Sequence, residues 1–438
     1  MGSTTIPATS KELQDRIQNG WWGFWPLAWT IGERKMRERT SAGWTYQEML
    51  AHIAAWERAT ASRLARLRES GDFAGPPSDD DDEFNARVAA EARGKRAREV
   101  IRELADAHDA LTHEVEALSD EQFAANEHWA RAIVAGNTFD HYAEHQVELE
   151  SGLPWTRDEL VARMEEGWGR FWQAVGFVGS ERLERTTPAG WTGKALLAHI
   201  ARWLEGVPPE LPVRLEGRRS PQPDVDAVNA RSAEQAATLP ARRSVERVER
   251  AYRAVRDAVR ALPDGTLPLM VLRLVAGETF NHFSEHDAEL AALRPRTATE
   301  LAARVDEAWR PVRERIREIG RGRMGELLPN GWTYKDLVGH IAAWEEYGER
   351  GIRDWRAGRF AEMSDADVDA FNAREVENRK LVGAEAILDE LDTAHRRLVE
   401  IARTLTDGEL AERIPLALVG WNTYLHYPDH AADLGLER

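Results

Sequence analysis

Ten residues at positions 43–52, GWTYQEMLAH, return as GWTGKALLAH at 190–199 and as GWTYKDLVGH at 331–340. A Thr followed three residues later by an acidic residue, Thr45 and Glu48 in the first copy, is a capping box, in which both side chains satisfy free N–H groups at the start of a helix. The second copy has Ala195 at the acidic position, so its cap is weaker. The stretch therefore starts a helix, and its final His lies two turns inside that helix.

Three further motifs repeat in nearly the same register. They are a Thr-x-x-Glu capping box at 9–12, 156–159 and 297–300, an Asn-Ala-Arg element at 85–87, 229–231 and 372–374, and two histidines four residues apart in HYAEH at 141–145, HFSEH at 282–286 and HYPDH at 426–430. Self-similarity at such intervals is typical of repeated domains. It predicts three tandem copies of one domain, residues 1–152, 153–294 and 295–438.

Each repeat has four helical segments. The first starts at the Thr-x-x-Glu box, the second at Gly-Trp-Thr, the third at Asn-Ala-Arg, and the fourth carries the paired histidines. In the first repeat the third segment continues through positions at helical spacing, Val100, Leu104, His108 and Leu111. No segment indicates a strand, so we predict an all-α protein of three four-helix bundles, about twelve helices in all. The pattern leaves open whether the repeats pack as pseudo-dimers within the chain.

Composition limits the functional classes. Of 438 residues, 42% are hydrophobic and 30% are charged, which is typical of a globular protein. No window is apolar enough for a membrane-spanning helix, and the N-terminus lacks a secretory signal, so we expect a cytoplasmic protein. The net charge of −17 argues against binding to nucleic acid, and the acidic run 79–83 is expected in a solvated loop. Because the chain has no cysteine, any thiol chemistry needs an external thiol.

Nine of the thirteen histidines fall into three aligned triads. Residues i and i+4 share a helix face, so each histidine pair can hold one ion, and the histidine of the second helix supplies a third imidazole. Three imidazoles that leave a coordination position open are typical of a catalytic metal site. The predicted ligands are His52, His141 and His145; His199, His282 and His286; and His340, His426 and His430. The other histidines, His108, His113, His128 and His395, show no such register and are interpreted as structural.

The second and third repeats depart from the pattern of the first. Val207-Pro208-Pro209 follows the first triad histidine of the second repeat and must change that wall of its pocket. Pro428 lies between the paired histidines of the third repeat, where it removes a backbone donor and kinks the helix. We therefore expect a distorted or empty site in the third repeat and the strongest metal binding in the first.

Other repeated residues are candidates for the site. An acidic residue precedes the last triad histidine in each repeat: Glu144, Glu285 or Asp429. It matches the general base of an H-x-x-E-H motif. We favour a role in which it orients a metal ligand or faces solvent. The tryptophans four residues after the first triad histidine, Trp56, Trp203 and Trp344, pack in the core or line the pocket. The Asn-Ala-Arg side chains cap the third helix or bind an anionic substrate group; they are Asn85, Asn229, Asn372, Arg87, Arg231 and Arg374.

The sequence resembles the DinB/YfiT-like superfamily of metal-binding four-helix bundles. The resemblance is carried by the histidine of the second helix, the Gly-Trp-Thr motif that precedes this helix, and the HxxxH pair. That superfamily includes mycothiol-dependent maleylpyruvate isomerases and bacillithiol transferases. The resemblance covers nearly the whole chain and implies that the nine triad histidines are metal ligands. The residues before the fourth helix, such as Asn137-Thr138, are also similar to the ClbS/DfsB branch, which protects cells from genotoxic natural products but does not share the HxxxH pair.

Two functions fit these observations. The first is a metal-dependent enzyme that acts on a small electrophile by thiol transfer or hydrolysis, in detoxification or self-resistance, with a divalent ion and a low-molecular-weight thiol as cosubstrate. We expect the ion to be Zn²⁺, with Ni, Fe and Mn as alternatives. The second is a non-catalytic protein that sequesters a small toxin or metabolite.

Overall fold

A computed structural model describes residues 6–72, 80–126, 129–221 and 223–436. Within these ranges the regular elements are helices, and the β-type pairings are isolated bridges, so the predicted all-α fold is confirmed. None of the described helices combines the length and the apolar character needed to cross a membrane. His128 and the first residue of the acidic run, Asp79, lie outside the described residues.

The helices follow the three sequence repeats. The first repeat contains α1 (Ser10–Thr30), α2 (Tyr46–Ser70), α3 (Asp81–Arg93), α4 (Ala97–Ala117), α5 (Asp120–Ala124), α6 (Trp129–Gly136) and α7 (Phe139–Ser151). The second contains α8 (Arg157–Val178), α9 (Gly193–Leu204), α10 (Val207–Leu215), α11 (Val225–Ala237), α12 (Ala241–Arg260), α13 (Leu269–Glu278), α14 (Phe280–Glu285) and α15 (Asp287–Leu293). The third contains α16 (Ala298–Ile319), α17 (Tyr334–Arg356), α18 (Asp365–Asn378), α19 (Ala384–Ala402), α20 (Asp407–Ala411), α21 (Arg413–Gly420) and α22 (Ala431–Leu434).

The third predicted segment is two helices in every repeat, so the prediction of one continuous helix is wrong. Helix α3 ends at Arg93, directly before Gly94, and α4 starts at Ala97. The corresponding break contains Pro240 in the second repeat and Gly383 in the third. Gly and Pro are the residues that helices tolerate least, which explains the position of each break.

The Gly-Trp-Thr motif forms a tight turn before the second helix. Its glycine has φ of 89°, 88° and 86° in the three repeats, a left-handed conformation that residues with a side chain rarely adopt. In the first repeat the N–H of Thr40 donates to the carbonyl of Trp44 (2.7 Å) and closes the turn. Thr45 then caps α2 in a complete capping box with Glu48, as the sequence predicts. The turn fixes where the second helix starts, and hence the depth of its histidine.

The acidic run does not lie in a loop, because it starts α3. Asp80 is the N-cap and accepts hydrogen bonds from the N–H groups of Asp82 and Glu83. Carboxylates at this end of a helix interact favourably with the helix dipole. This explains a cluster of acidic residues without any bound cation.

The chain divides into two compact units, one formed by Met1–Gly169, Leu196–Leu239 and Arg243–His286, the other by Arg170–Ala195, Pro240–Arg242 and Asp287–Arg438. In the first unit α2 packs against α3, α4 and α7, and α1 packs against α4 and α7. In the second unit α17 packs against α18, α19 and α21. The domain boundaries near residues 152 and 294 stay a prediction.

Helices of the first two sequence repeats meet within the first unit. Helix α1 contacts α13, where Gly277 leaves room for the indole of Trp29. The side-chain amide of Asn281 donates to the Trp29 carbonyl (2.8 Å), and the Arg163 guanidinium donates to the Ile31 carbonyl (2.9 Å). The sequence left open whether the repeats pack as pseudo-dimers, and in the structure α1 has partners outside its own repeat.

Candidate metal centre

Each repeat brings its three triad histidines together. In every triad one nitrogen from each imidazole lies within 4.8 Å of the others. The distance between the Nε2 atoms of the first two histidines is 2.9 Å for His52 and His141, 2.9 Å for His199 and His282, and 3.1 Å for His340 and His426. The chain segments that carry these residues are far apart in sequence, so the convergence is a property of the folded bundles.

The paired histidines lie on backbones of three different kinds. In the first repeat both belong to the continuous helix α7, as the sequence predicts. In the second repeat α14 ends before His286. In the third repeat Pro428 converts the segment Tyr427–His430 to a 3₁₀ helix. The expected kink is therefore present.

The kink does not separate the ligands of the third repeat. Nε2 of His426 lies 3.1 Å from Nε2 of His340 and 3.1 Å from Nε2 of His430. The expectation of a distorted third site is wrong for the imidazole positions. A 3₁₀ helix has three residues per turn, so its side chains at i and i+4 differ in direction from those of an α-helix, yet the three imidazoles stay within 4.8 Å of one another.

Burial keeps the triad imidazoles neutral. Desolvation, together with the charge of neighbouring histidines, lowers the pKa of His52 to about 4 and that of His141 to about 2. Desolvation likewise lowers the pKa of His340 to about 3, and it lowers the pKa of His282 and His426 well below the usual value. A neutral imidazole is the form that binds a metal ion. The donor set of three imidazoles fits a Zn²⁺-like ion with a free coordination position.

The Asn of the repeated Asn-Ala-Arg element lies beside the first triad histidine in the first two repeats. Oδ1 of Asn85 is 2.9 Å from Nδ1 of His52 and 3.0 Å from Nε1 of Trp56. The second repeat has the same two distances between Asn229, His199 and Trp203. In the third repeat the indole of Trp344 donates to Oδ1 of Asn372 (3.0 Å).

These contacts replace the cap that the sequence suggested. The N-caps of α3, α11 and α18 are Asp80, Asp224 and Ser364, so the Asn side chains are free to face the second helix. The tryptophans are half-buried beside their triad histidines, with ring centroids 6.3 to 6.4 Å apart. Both residue types therefore belong to the surroundings of the triad.

The arginines of the same element make contacts along their own helices. Arg87 pairs with Glu91 (3.2 Å) and lies over the ring of Phe84. Arg231 donates to the carbonyl of Ala227 (3.1 Å), and Arg374 pairs with Glu375 (3.2 Å). Their predicted role in substrate binding stays a prediction.

The acidic residues of the fourth segment are exposed. Glu144, Glu285 and Asp429 are all exposed, and Asp429 also lines the cavity beside the third triad. Glu144 acts on the triad only through its charge, which raises the pKa of His145 against the larger lowering by burial. The exposed position of Glu144 fits a solvent-facing role, and the roles of all three acidic residues stay predictions.

A second buried cluster, which sequence reasoning missed, lies next to the first triad. Tyr142, adjacent to His141, donates to the Glu57 carboxyl group, and Nδ1 of His108 lies 3.0 Å from the Tyr142 hydroxyl. Burial raises the pKa of Glu57, while His108 and Tyr142 partly oppose this. Trp21 stacks on His108, with ring centroids 3.8 Å apart.

The same cluster recurs in the third repeat. Glu345 lies 2.5 Å from the Tyr427 hydroxyl and 3.2 Å from Nδ1 of His395, and Trp309 stacks on His395. The interpretation that His108 and His395 share no register is therefore wrong. Their separation of 287 residues nearly equals the 288 between His52 and His340, and this signal was available in the sequence. The second repeat has apolar or neutral residues at these positions, Leu204, Tyr252 and Phe283.

Helical bundles with buried histidine triads define a class of metal-binding protein. Residues 18–148 match the model of the DinB superfamily, and residues 164–269 match the model of the mycothiol maleylpyruvate isomerase N-terminal domain. These two stretches of the chain are therefore similar to DinB-like families of metal-binding helical bundles. No curated protein and no solved structure matches the chain.

Proposed function

We propose that this chain is a metal-dependent enzyme that acts on a small electrophilic molecule, by transfer of a thiol or by hydrolysis. The observation that carries the proposal is the convergence of three imidazole nitrogens within 4.8 Å in each repeat. Three neutral nitrogen donors leave a coordination position for a reactant, whereas structural zinc sites are usually closed by four protein ligands.

The nine triad histidines would hold the ions, one ion for each repeat. Zn²⁺ suits this donor set best, with Ni, Fe and Mn as alternatives. A divalent ion in such a site acts as a Lewis acid and makes a thiol or a water molecule nucleophilic near neutral pH. Burial keeps the imidazoles neutral, and Asn85 and Asn229 contact the Nδ1 atoms of His52 and His199.

An external low-molecular-weight thiol is the proposed cosubstrate. The chain contains no cysteine to supply a thiol of its own. In addition, residues 164–269 match a domain named for a mycothiol maleylpyruvate isomerase. Detoxification of an electrophile in the cytoplasm is the role that this chemistry would serve.

The test is turnover of 1-chloro-2,4-dinitrobenzene by the purified full-length chain with mycothiol, bacillithiol or glutathione. We expect product formation that a chelator abolishes and that added Zn²⁺ restores. A chain with His52→Ala, His199→Ala and His340→Ala serves as the control and should be inactive while keeping its helical circular dichroism. Activity that survives both treatments contradicts a metal-dependent mechanism. If the chain binds metal and small molecules tightly but catalyses no reaction of a thiol or of water with an electrophile, the sequestering function is favoured.

A further inference from the structure

We propose that the third repeat binds a flat aromatic molecule without an anionic group, in the cavity beside its histidine triad. This inference rests on the proposed function and names the class of molecule that one of the three sites takes. It is carried by the shape, the wall residues and the charge of the cavity.

The cavity has a volume of about 670 Å³ and includes His340, His426 and His430 in its wall. Pockets that enclose small organic molecules have volumes of roughly 300 to 1,000 Å³. The space is therefore large enough for a fused-ring molecule in contact with the triad.

Aromatic side chains form much of the wall. They are Trp332, Trp344, Tyr347, Phe360 and Trp421, and each is only half-buried. Trp344 and Tyr347 lie with ring centroids 5.5 Å apart at an interplanar angle of 79°, so they form two sides of a corner. Partly exposed rings that line a concave surface provide apolar area and ring faces for a planar ligand.

Two of these rings are specific to the third repeat. Tyr347 lies seven residues after His340, and the same step from His52 and His199 leads to Ala59 and Gly206. Trp421 lies five residues before His426. The same step from His141 and His282 leads to Gly136 and Gly277. The repeats share the triad, but the third repeat alone has large rings at these two aligned positions.

The charge of the wall disfavours an anion. The carboxylates of Glu362, Asp429 and Asp433 line the cavity, and its described lining contains neither lysine nor arginine. Arg413 pairs with Glu362 (3.3 Å) and lies over the ring of Trp421, but it is not part of the lining. An anionic ligand would lose its hydration without a cationic side chain to replace it, whereas a cation is attracted to carboxylates and to ring faces.

The test uses three probes that share one ring system and differ in charge: 2-naphthylmethylammonium, 2-naphthalenemethanol and 2-naphthoate. Binding to the full-length, metal-free chain is measured by titration calorimetry. We expect one site for the cation and the alcohol in the metal-free chain, and at least tenfold weaker binding of naphthoate. The metal-free titration tests the aromatic site whether or not the chain is an enzyme. If the chain catalyses the reaction but does not bind these probes, the aromatic site is contradicted and the proposed function is not.

Substitutions toward the other repeats assign the site. Trp421→Gly and Tyr347→Ala introduce the residues found at aligned positions, and each should weaken cation binding about tenfold, since each removes one stacking surface. Trp22→Ala is the matched control, because this ring is 64% exposed on α1 and outside the cavity, and it should leave binding unchanged. Unchanged thermal unfolding of the Tyr347 variant would show that the fold is intact. Equal binding of naphthoate, or full affinity in both cavity variants, would overturn the proposal.

Discussion

Asn85 and His52 share a hydrogen bond that determines which nitrogen of the imidazole carries the proton. The indole N–H of Trp56 can only donate, and it points at Oδ1 of Asn85, so this atom is an acceptor. Nδ1 of His52, 2.9 Å from the same oxygen, must then be the protonated nitrogen. The lone pair of His52 is therefore on Nε2, which faces His141. The histidine is held in the tautomer that a metal ion needs.

Loss of this contact should weaken metal binding. For Asn85→Leu we expect the first site to lose about 10- to 100-fold in Zn²⁺ affinity, which is typical when the partner of a metal-bound histidine is removed. The measurement is competition with a chromophoric chelator, in a chain whose other two sites carry His199→Ala and His340→Ala.

The control for this variant is Arg87→Leu, two residues along the same helix. Arg87 is exposed and pairs with Glu91, so its removal should leave the affinity within about twofold. Equal losses in both variants would mean that any change in α3 disturbs the site and that Asn85 has no special role.

Each triad should hold one ion. Elemental analysis of the wild-type chain should give about three divalent ions, and His52→Ala, His199→Ala or His340→Ala should each remove about one. The third site is included because its three imidazoles converge in spite of Pro428. Fewer than three ions, with no loss on His340→Ala, would restore the uneven occupancy that the proline suggests.

The exposed position of Glu144 predicts a small effect of its removal. Glu144→Gln should change turnover at the first site by less than about threefold, because the side chain lies on the solvent side of α7. His145→Ala, one residue further, should abolish turnover there. Both are measured in the chain with only the first triad intact. A loss of 100-fold or more in the Glu144 variant would identify it as the general base.

The buried carboxyl group of Glu57 should make stability depend on pH. Burial raises its pKa in the folded chain, so the folded chain keeps this proton to a higher pH than the unfolded chain does. Stability therefore falls as the pH rises from the unfolded pKa, about 4.3, to the folded pKa. Glu57→Gln lacks this titration. Relative to wild type, the variant should gain apparent stability in urea unfolding as the pH is raised from 4 to 7.

The opposite trend in that experiment has a clear meaning. If the variant instead loses stability relative to wild type as the pH rises, Glu57 is ionised in the folded chain and paired with a protonated His108, 3.6 Å away. Replacement of the cluster by its counterparts in the second repeat, Glu57→Leu, His108→Tyr and Tyr142→Phe together, should remove the pH dependence in either case.

Much of this protein follows from the sequence alone. The all-α fold, the capped start of α2 and the pairing of His141 with His145 depend on contacts between residues a few positions apart, and such contacts leave a periodic pattern. The threefold repetition then identifies His52 and its counterparts as the third members of the triads.

Only the tertiary structure decided which residues contact one another across the bundles. Spacing along α3 cannot show that Asn85 faces His52 rather than capping its own helix, nor that Glu57, His108 and Tyr142 meet from three helices. Similarly, Pro428 interrupts the α-helix, yet the Nε2 atoms of His426 and His430 stay 3.1 Å apart, which the sequence pattern did not indicate. The aromatic cavity of the third repeat also depends on Tyr347 and Trp421, which are 74 residues apart and become neighbours of one space only when α17 and α21 pack.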